Sequence, residues 1–162
     1  MSEVDVRRGL VGVSVLVLFV IHFVLHVGLS YGRGAPDLLT LGLLIAVREL
    51  SLHRAAILGL STGLLEDALS ALAFGANSIA MTLVAVAGGV TRDLFVGDSR
   101  FFLPAYVFVG KWIRDALHWI AMGQNVRQPF GEQVLVEGTI ASLYVAAIAL
   151  VLSRLLGAWG EA

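Results

Sequence analysis

The sequence predicts an all-α integral membrane protein with about six transmembrane helices in a single domain, residues 1–162. Hydrophobic residues make up 58% of the chain and charged residues only 14%, whereas soluble domains carry about 25% charged residues. A chain of 162 residues has too small a core to bury that much apolar surface. The apolar runs are also long and unbroken, which favours helices over strands. We therefore expect lipid to cover most of the surface.

Each apolar run is assigned to one helix, because a helix needs about 20 residues to cross the hydrocarbon core. The first run, 9–29, is not followed by a small-residue cleavage site and is interpreted as retained. The second begins at Pro36 and meets Arg48 so early that we expect it to be short or partly interfacial. The later predicted spans are 54–72, 77–91, 101–122 and 134–156.

The distribution of basic residues predicts that both chain termini are cytoplasmic. Short cytoplasmic loops are enriched in Lys and Arg. With the N-terminus inside, only Arg33 and Arg127 fall in outer loops, and Lys111 and Arg114 lie within span five. The basic residues assigned to the cytoplasmic side are Arg7, Arg8, Arg48, Arg54, Arg92, Arg100 and Arg154.

Composition and motifs argue against several classes of function. The net charge is −1 and the basic residues are scattered, so nucleic-acid binding is not predicted. The chain has no cysteine, which excludes disulfides and thiolate metal sites. It carries no hydrolase elbow, zinc-protease helix motif, phosphate loop or dinucleotide fingerprint. We therefore predict no catalytic residue and no cofactor.

Charged side chains inside span five form the first half of the candidate functional site. Their spacing is i, i+3, i+4 and i+7, which puts them on one face of a helix. These residues are Lys111, Arg114, Asp115 and His118.

The second half is a pair of adjacent carboxylates, Glu66 and Asp67, on span three. Asp67 lies about 20 Å along its span, and Arg114 lies about as far along span five, which runs in the same direction. An unpaired charge near a helix centre costs about 2.5–3.5 kcal/mol on insertion. We therefore expect Glu66 and Asp67 to face the bundle interior and to meet Lys111 and Arg114.

Two interpretations of this charge cluster are open. It is either an ion-pair pin that only holds helices together, or a polar cavity or partner-docking site in the outer half of the membrane. Histidines offer a third, weaker possibility, since His22, His26 and His118 can supply imidazoles to a metal. We favour interfacial or bundle-facing roles for these histidines and predict no metal site.

Small residues at helical spacing predict tight helix packing on two spans. Gly59 and Gly63 are four residues apart on span three, and Gly138, Ser142 and Ala146 repeat that spacing on span six. Small residues at such positions let two backbones approach closely.

Two segments together carry a family resemblance: "PDLLTLGLLIAVREL", and "RAAILGLSTGLLEDALSALAFGANSIAMTLVAV". They resemble the rod-shape-determining protein MreD family. That family has a Pro-led second helix, then a Gly-Leu-x-x-Asp segment, and then a small loop with Gly and Asn before an apolar helix. The likeness extends over nearly the whole chain in size and number of spans, but the stripe on span five has no counterpart in the family pattern. The matching positions are Pro36, Gly63, Leu64, Asp67, Gly75 and Asn77.

The resemblance implies a non-enzymatic scaffold or regulatory subunit of the bacterial cell-elongation complex in the inner membrane. It implies MreC, a membrane-anchored periplasmic protein, as the partner. Indirect links would be to MreB filaments, a RodA-type glycosyltransferase and its penicillin-binding transpeptidase, in support of rod shape and peptidoglycan synthesis. The resemblance also implies a fold similar to the substrate-binding subunits of energy-coupling-factor transporters.

That fold relationship raises an alternative function, a vitamin-binding transporter subunit. Such subunits often carry Ala-x-x-x-Ala on the first helix for docking their coupling partner. Span one contains no alanine, which counts against this alternative. A small intramembrane enzyme is a third hypothesis, for which only the charge stripe argues.

Overall fold

The computed structural model describes residues 3–25, 36–70, 73–91 and 102–157. Every regular element within these ranges is helical, which confirms the all-α fold class. A π-helical segment, Gly131–Gly138, leads directly into the last α-helix. The α-helices are α1, Glu3–Phe23; α2, Leu38–Val47; α3, Leu52–Leu69; α4, Ala76–Thr91; α5, Phe102–Ala121; and α6, Thr139–Gly157.

Helix ends differ from the predicted spans where local chemistry stops or extends a helix. The third helix ends at Leu69, because Ser70 takes an extended conformation with φ −101° and ψ 118°. The last helical stretch begins at Gly131 rather than at the predicted Val134. The first helix begins at Glu3, before the apolar run. The predicted ends at 26–29, 71–72 and 101 lie outside the described residues.

The short helix α2 forms the centre of the bundle. Eight of its ten residues are buried, and it packs against each of the other five α-helices. Asp37 caps its N-terminus, with Oδ1 accepting from the Thr40 backbone N at 2.9 Å and Oδ2 from Thr40 Oγ1 at 2.7 Å. This helix has only ten residues and is short, as predicted. It ends where the charged residues Arg48 and Glu49 begin a turn.

The hairpin of α3 and α4 is the tightest contact in the bundle, as the small-residue spacing predicted. A Cβ added to Gly63 would lie 2.5 Å from Ser78 Cα, and one added to Gly59 would lie 2.6 Å from the Met81 carbonyl oxygen. At the π segment that leads into α6 the fit is looser. A Cβ at Gly138 would meet Asp115 Oδ2 at an ordinary 3.5 Å, while Ser142 is fully buried.

Apolar side chains cover much of the outer surface, while Asp67 and the lysine and arginine of α5 are buried. Val13, Leu16 and Ile140 are 59%, 62% and 63% exposed, whereas Lys111 and Arg114 are 4% and 9% exposed. Within the described residues, one helical stretch, Gly131–Arg154, is long and apolar enough to cross a bilayer, with a mean hydropathy of 2.1. Shorter apolar helices are Gly9–Phe23, Leu38–Val47 and Ala76–Thr91.

Candidate functional site

A cavity of about 620 Å³, lined by charged and polar side chains as well as apolar ones, lies at one end of the bundle. At this end α1, α3 and α5 finish, and α2 and the π segment begin. We call it the cavity. Its floor carries most of the predicted charge cluster, and the π segment and α6 form one wall. The charged residues that line it are Asp37, Glu66, Lys111, Arg114, Asp115 and Glu137.

Lys111 is held by two carboxylates. Its Nζ atom donates to Asp115 Oδ1 and Oδ2, each at 2.5 Å, and lies 3.5 Å from Asp37 Oδ2. Residues four apart on a helix are neighbours, so the Asp115 contact follows from the predicted stripe. The contact with Asp37 brings the start of α2 against α5. Lys111 does not meet Glu66 or Asp67 among the described contacts, and that part of the prediction is wrong.

Arg114 joins α5 to the α3–α4 hairpin. Its Nη2 atom donates to a carboxylate oxygen of Glu66, and the two side chains form an ion pair. The same nitrogen donates to Asn77 Oδ1 at 2.6 Å, and Nη1 donates to Asp115 Oδ1 at 3.2 Å. The predicted meeting of Glu66 and Arg114 is therefore confirmed. Such multiply bonded guanidinium groups are fixed in orientation as well as paired.

Asp67 has a different partner from the one predicted, and the expected pairing with Arg114 is wrong. It is fully buried and accepts from Asn77 N at 3.0 Å, Ser78 N at 2.9 Å and Ser78 Oγ at 2.5 Å. The first turn of a helix has backbone N–H groups without intrahelical partners and a partial positive charge. Asp67 therefore caps α4 from the neighbouring helix, and needs no side-chain cation.

Most positions of the family-like motif meet at this same helix junction. Gly63 allows the backbone of Ser78 to approach, Asp67 bonds the start of α4, and Gly75 has a φ of +96°. A positive φ is accessible to glycine at little cost. The spacing of Gly63, Asp67, Gly75 and Asn77 thus builds a closed hairpin, whereas Pro36 lies apart and lines the cavity.

Two of the three histidines considered for a metal line the cavity. His22 is buried and bundle-facing; its Nδ1 accepts from Leu39 N at 3.4 Å, and its Nε2 lies 3.7 Å from Glu66 Oε1. His118 has an Nδ1 atom without a partner, and His26 lies outside the described residues. Over the described ranges, no group of three or more His, Cys, Asp or Glu side chains is placed to hold a metal ion.

The rim of the cavity contains polar residues that the sequence analysis missed. Gln128 and Gln133 line it, and the Gln128 backbone N donates to Gln133 Oε1 at 2.9 Å. Trp119 fixes this loop, because its Nε1 donates to the Gln128 carbonyl at 2.8 Å and its ring lies 4.2 Å from the Arg127 guanidinium. The one sequence signal for this rim was the polar run between the last two apolar runs.

The arrangement can bind a charged or polar group, since it combines opposite charges, unfilled volume and unpartnered polar atoms. Arg114 Nε and His118 Nδ1 are buried atoms without hydrogen-bond partners. Comparison of the chain with protein families, curated proteins and solved structures finds no match.

Proposed function

We propose that this chain is a multi-pass protein of the bacterial cytoplasmic membrane and a non-enzymatic scaffold subunit of the cell-elongation complex. The observation that carries the proposal is the inversion of polarity: charges are paired inside the bundle while apolar side chains face outward. Soluble proteins rarely expose extensive apolar patches, and charges within membrane helices face the bundle interior and pair there.

The proposed topology has six spans with both termini in the cytoplasm. The connection between α3 and α4 is short, as expected for antiparallel neighbours. Arg127 lies in the loop at the cavity end, whereas Arg48, Arg54 and Arg154 lie in or beside helix ends away from it. This asymmetry favours the cavity end as the outer, periplasmic end.

The proposed partner is MreC, which docks at the cavity end. The likeness to the MreD family names this partner, and its membrane-anchored, periplasmic character agrees with an outward-facing site. The contacts of Arg114 with Glu66 and Asn77 tie α5 to the α3–α4 hairpin, so that the site sits on connected helices. Through MreC the subunit would link to MreB filaments, the RodA-type glycosyltransferase and its transpeptidase.

Copurification tests the partnership most directly. The tagged chain, expressed in a rod-shaped host that lacks its own MreD-like protein, should retain an MreC-like single-span protein and restore rod shape. Ala141 lines the cavity, and Ala147 is exposed on the same helix. Ala141→Trp should weaken retention and Ala147→Trp should not. A folded chain that restores no rod shape and retains no such protein would refute the proposal.

Single-cysteine labelling tests the topology, and the cysteine-free chain makes each label unambiguous. A cysteine replacing Arg127 should react with an impermeant reagent added outside intact cells. A cysteine replacing Asp98 or Glu161 should react only after the membrane is opened. Labelling of position 98 from outside would contradict six spans.

A vitamin-binding transporter subunit is the second candidate, because the cavity volume of about 620 Å³ falls in the range of about 300–1,000 Å³ typical of small-molecule sites. The absence of alanine from α1 counts against it. Copurification of an ATPase-coupled module, or of a bound vitamin, would favour this candidate over the scaffold.

A further inference from the structure

We infer that the cavity binds a zwitterionic group in which a primary ammonium lies close to an oxyanion, as in the head group of an aminophospholipid. The inference deepens the proposed function, because a lipid source for this group depends on the proposed membrane location. Three properties of the cavity lead to it: its charge balance, its unpartnered polar atoms and the exposure of one wall.

The charge balance of the cavity floor favours a cationic guest. Asp37, Glu66 and Asp115 supply three carboxylates against the two cations Lys111 and Arg114. His22 does not restore the balance, since its Nδ1 accepts a backbone N–H, which corresponds to the neutral ring.

The rim adds one more carboxylate to this excess. Glu137 is exposed there and lines the cavity. The carboxylates around the cavity therefore outnumber the two cations, and a bound cation is attracted by the excess negative charge. A bound ammonium offsets it and can donate three hydrogen bonds to carboxylates.

Unpartnered atoms at the same site call for an acceptor as well. Arg114 is only 9% exposed, yet its Nε–H donor has no partner. His118 Nδ1 is also buried and unpartnered; as a ring nitrogen it can either donate or accept a hydrogen bond. Nearly all buried donors in folded proteins find an acceptor. Arg114 lines the cavity, and a small turn of its side chain would bring Nε–H to an oxyanion bound next to the ammonium, which makes a zwitterion a better fit than a simple cation.

The α6 wall connects the cavity with the apolar outer surface. Ile140 and Tyr144 line the cavity and yet are 63% and 55% exposed. A molecule with its head group on the charged floor can therefore extend hydrocarbon chains along α6 into surrounding lipid. The volume of about 620 Å³ would hold about 20 waters at about 30 Å³ each, which is ample for a head group.

The test uses the full chain purified in detergent and titrated with dihexanoyl phosphatidylethanolamine. Readouts are the melting temperature and the mass of bound adducts in native mass spectrometry. The matched phosphatidylcholine keeps the phosphate but has no N–H donors, and phosphatidylglycerol lacks the amine. We expect phosphatidylethanolamine alone to raise Tm, by about 5 °C at 100 times its Kd, and to give a one-to-one adduct.

Paired variants locate the binding. Ala141→Trp fills the cavity and should abolish the shift, while Ala147→Trp on the exposed face of α6 should leave it unchanged. Should Ala141→Trp fail to fold, Glu137→Gln provides a milder test. It should weaken binding several-fold, whereas Glu132→Gln, an exposed carboxylate outside the cavity lining, should not.

The outcomes separate the possibilities. Equal shifts with all three lipids, or a shift that survives both Ala141→Trp and Glu137→Gln, would overturn the inference. Soluble phosphoethanolamine binding as tightly as the lipid would uphold the zwitterion chemistry and identify a soluble ligand. If the chain shows no preference for phosphatidylethanolamine but still copurifies an MreC-like protein, only this inference is rejected. If it prefers phosphatidylethanolamine but copurifies no MreC-like protein, only the proposed function is rejected.

Discussion

Glu66 and Asp67 are adjacent in the chain but belong to two different regions, the cavity and the α3–α4 junction. Asp67 is fully buried and accepts three hydrogen bonds from the start of α4. The Glu66 side chain is 16% exposed and faces Arg114 and His22 at the cavity. Successive residues on an α-helix point about 100° apart, so two neighbouring carboxylates can serve unrelated sites.

The two regions differ in how many of their polar atoms have hydrogen-bond partners. At the junction every contact described for Asp67 is short and its donors come from a helix end that needs an acceptor. At the cavity, ion pairs coexist with Arg114 Nε and His118 Nδ1, which lack partners. A site whose polar atoms are hydrogen-bonded within the protein stabilises the fold, whereas a site with unpartnered polar atoms is suited to binding. Charge inside an apolar helix therefore does not by itself identify function.

The largest effect is expected from crowding the junction. Gly63→Leu forces a side chain where even a Cβ would lie 2.5 Å from the Ser78 backbone, and should reduce the free energy of unfolding by about 3 kcal/mol or more. Gly12→Leu is the control, since a Cβ there meets nothing within 4 Å. Thermal unfolding in detergent measures both. Equal stability of the two variants would mean that the α3–α4 contact is not close.

A smaller loss of stability is expected when the cap that Asp67 provides to α4 is weakened. Asp67→Asn keeps the shape but replaces one acceptor oxygen with an NH₂ group, which faces N–H donors of α4. We expect a loss of about 2 kcal/mol, as for other caps and charged hydrogen bonds. Glu132→Gln, at an exposed carboxylate, should change stability by less than about 0.5 kcal/mol. Folded Asp67→Asn should still retain the proposed MreC-like partner, and loss of that partner at full stability would place Asp67 in the proposed docking site.

The smallest loss of stability is expected at the cavity carboxylate. Glu66→Gln leaves Arg114 bonded to Asn77 and Asp115 and removes one of three carboxylates around two cations. A cost of about 1 kcal/mol follows. By contrast, the preference for phosphatidylethanolamine and the retention of the proposed MreC-like partner should fall more in Glu66→Gln than in Asp67→Asn. The comparison would fail if Glu66→Gln destabilised the chain more than Asp67→Asn while leaving binding intact.

Sequence reasoning predicted the helices from local periodicity, and it predicted one key contact by combining that periodicity with the depth of residues along two spans. Arg114 was expected near Glu66 because it lies on the stripe from Lys111 to His118 and at a similar depth along its span. The ion pair confirms this contact. The same reasoning assigned Asp67 wrongly, since it considered only side-chain cations and not the N–H groups at the start of α4.

The contact of Asp37 with Lys111 and the cavity volume were not predictable in this way. A carboxylate before a helix is already explained by capping, and Asp37 does cap α2. The volume, in turn, depends on how whole helices pack, which periodicity does not encode.

A pair of double-mutant cycles tests the separate roles of Glu66 and Asp67 most directly. Free energies of unfolding are measured for Glu66→Gln, Asp67→Asn and Arg114→Gln, singly and in the two combinations with Arg114→Gln. Because Glu66 contacts Arg114 directly, that pair should show a coupling of at least about 1 kcal/mol. The described contacts link Asp67 to Arg114 through Asn77 and not directly, so its coupling should stay within about 0.5 kcal/mol. Equal couplings, or a larger one for Asp67, would contradict the separation of the two sites.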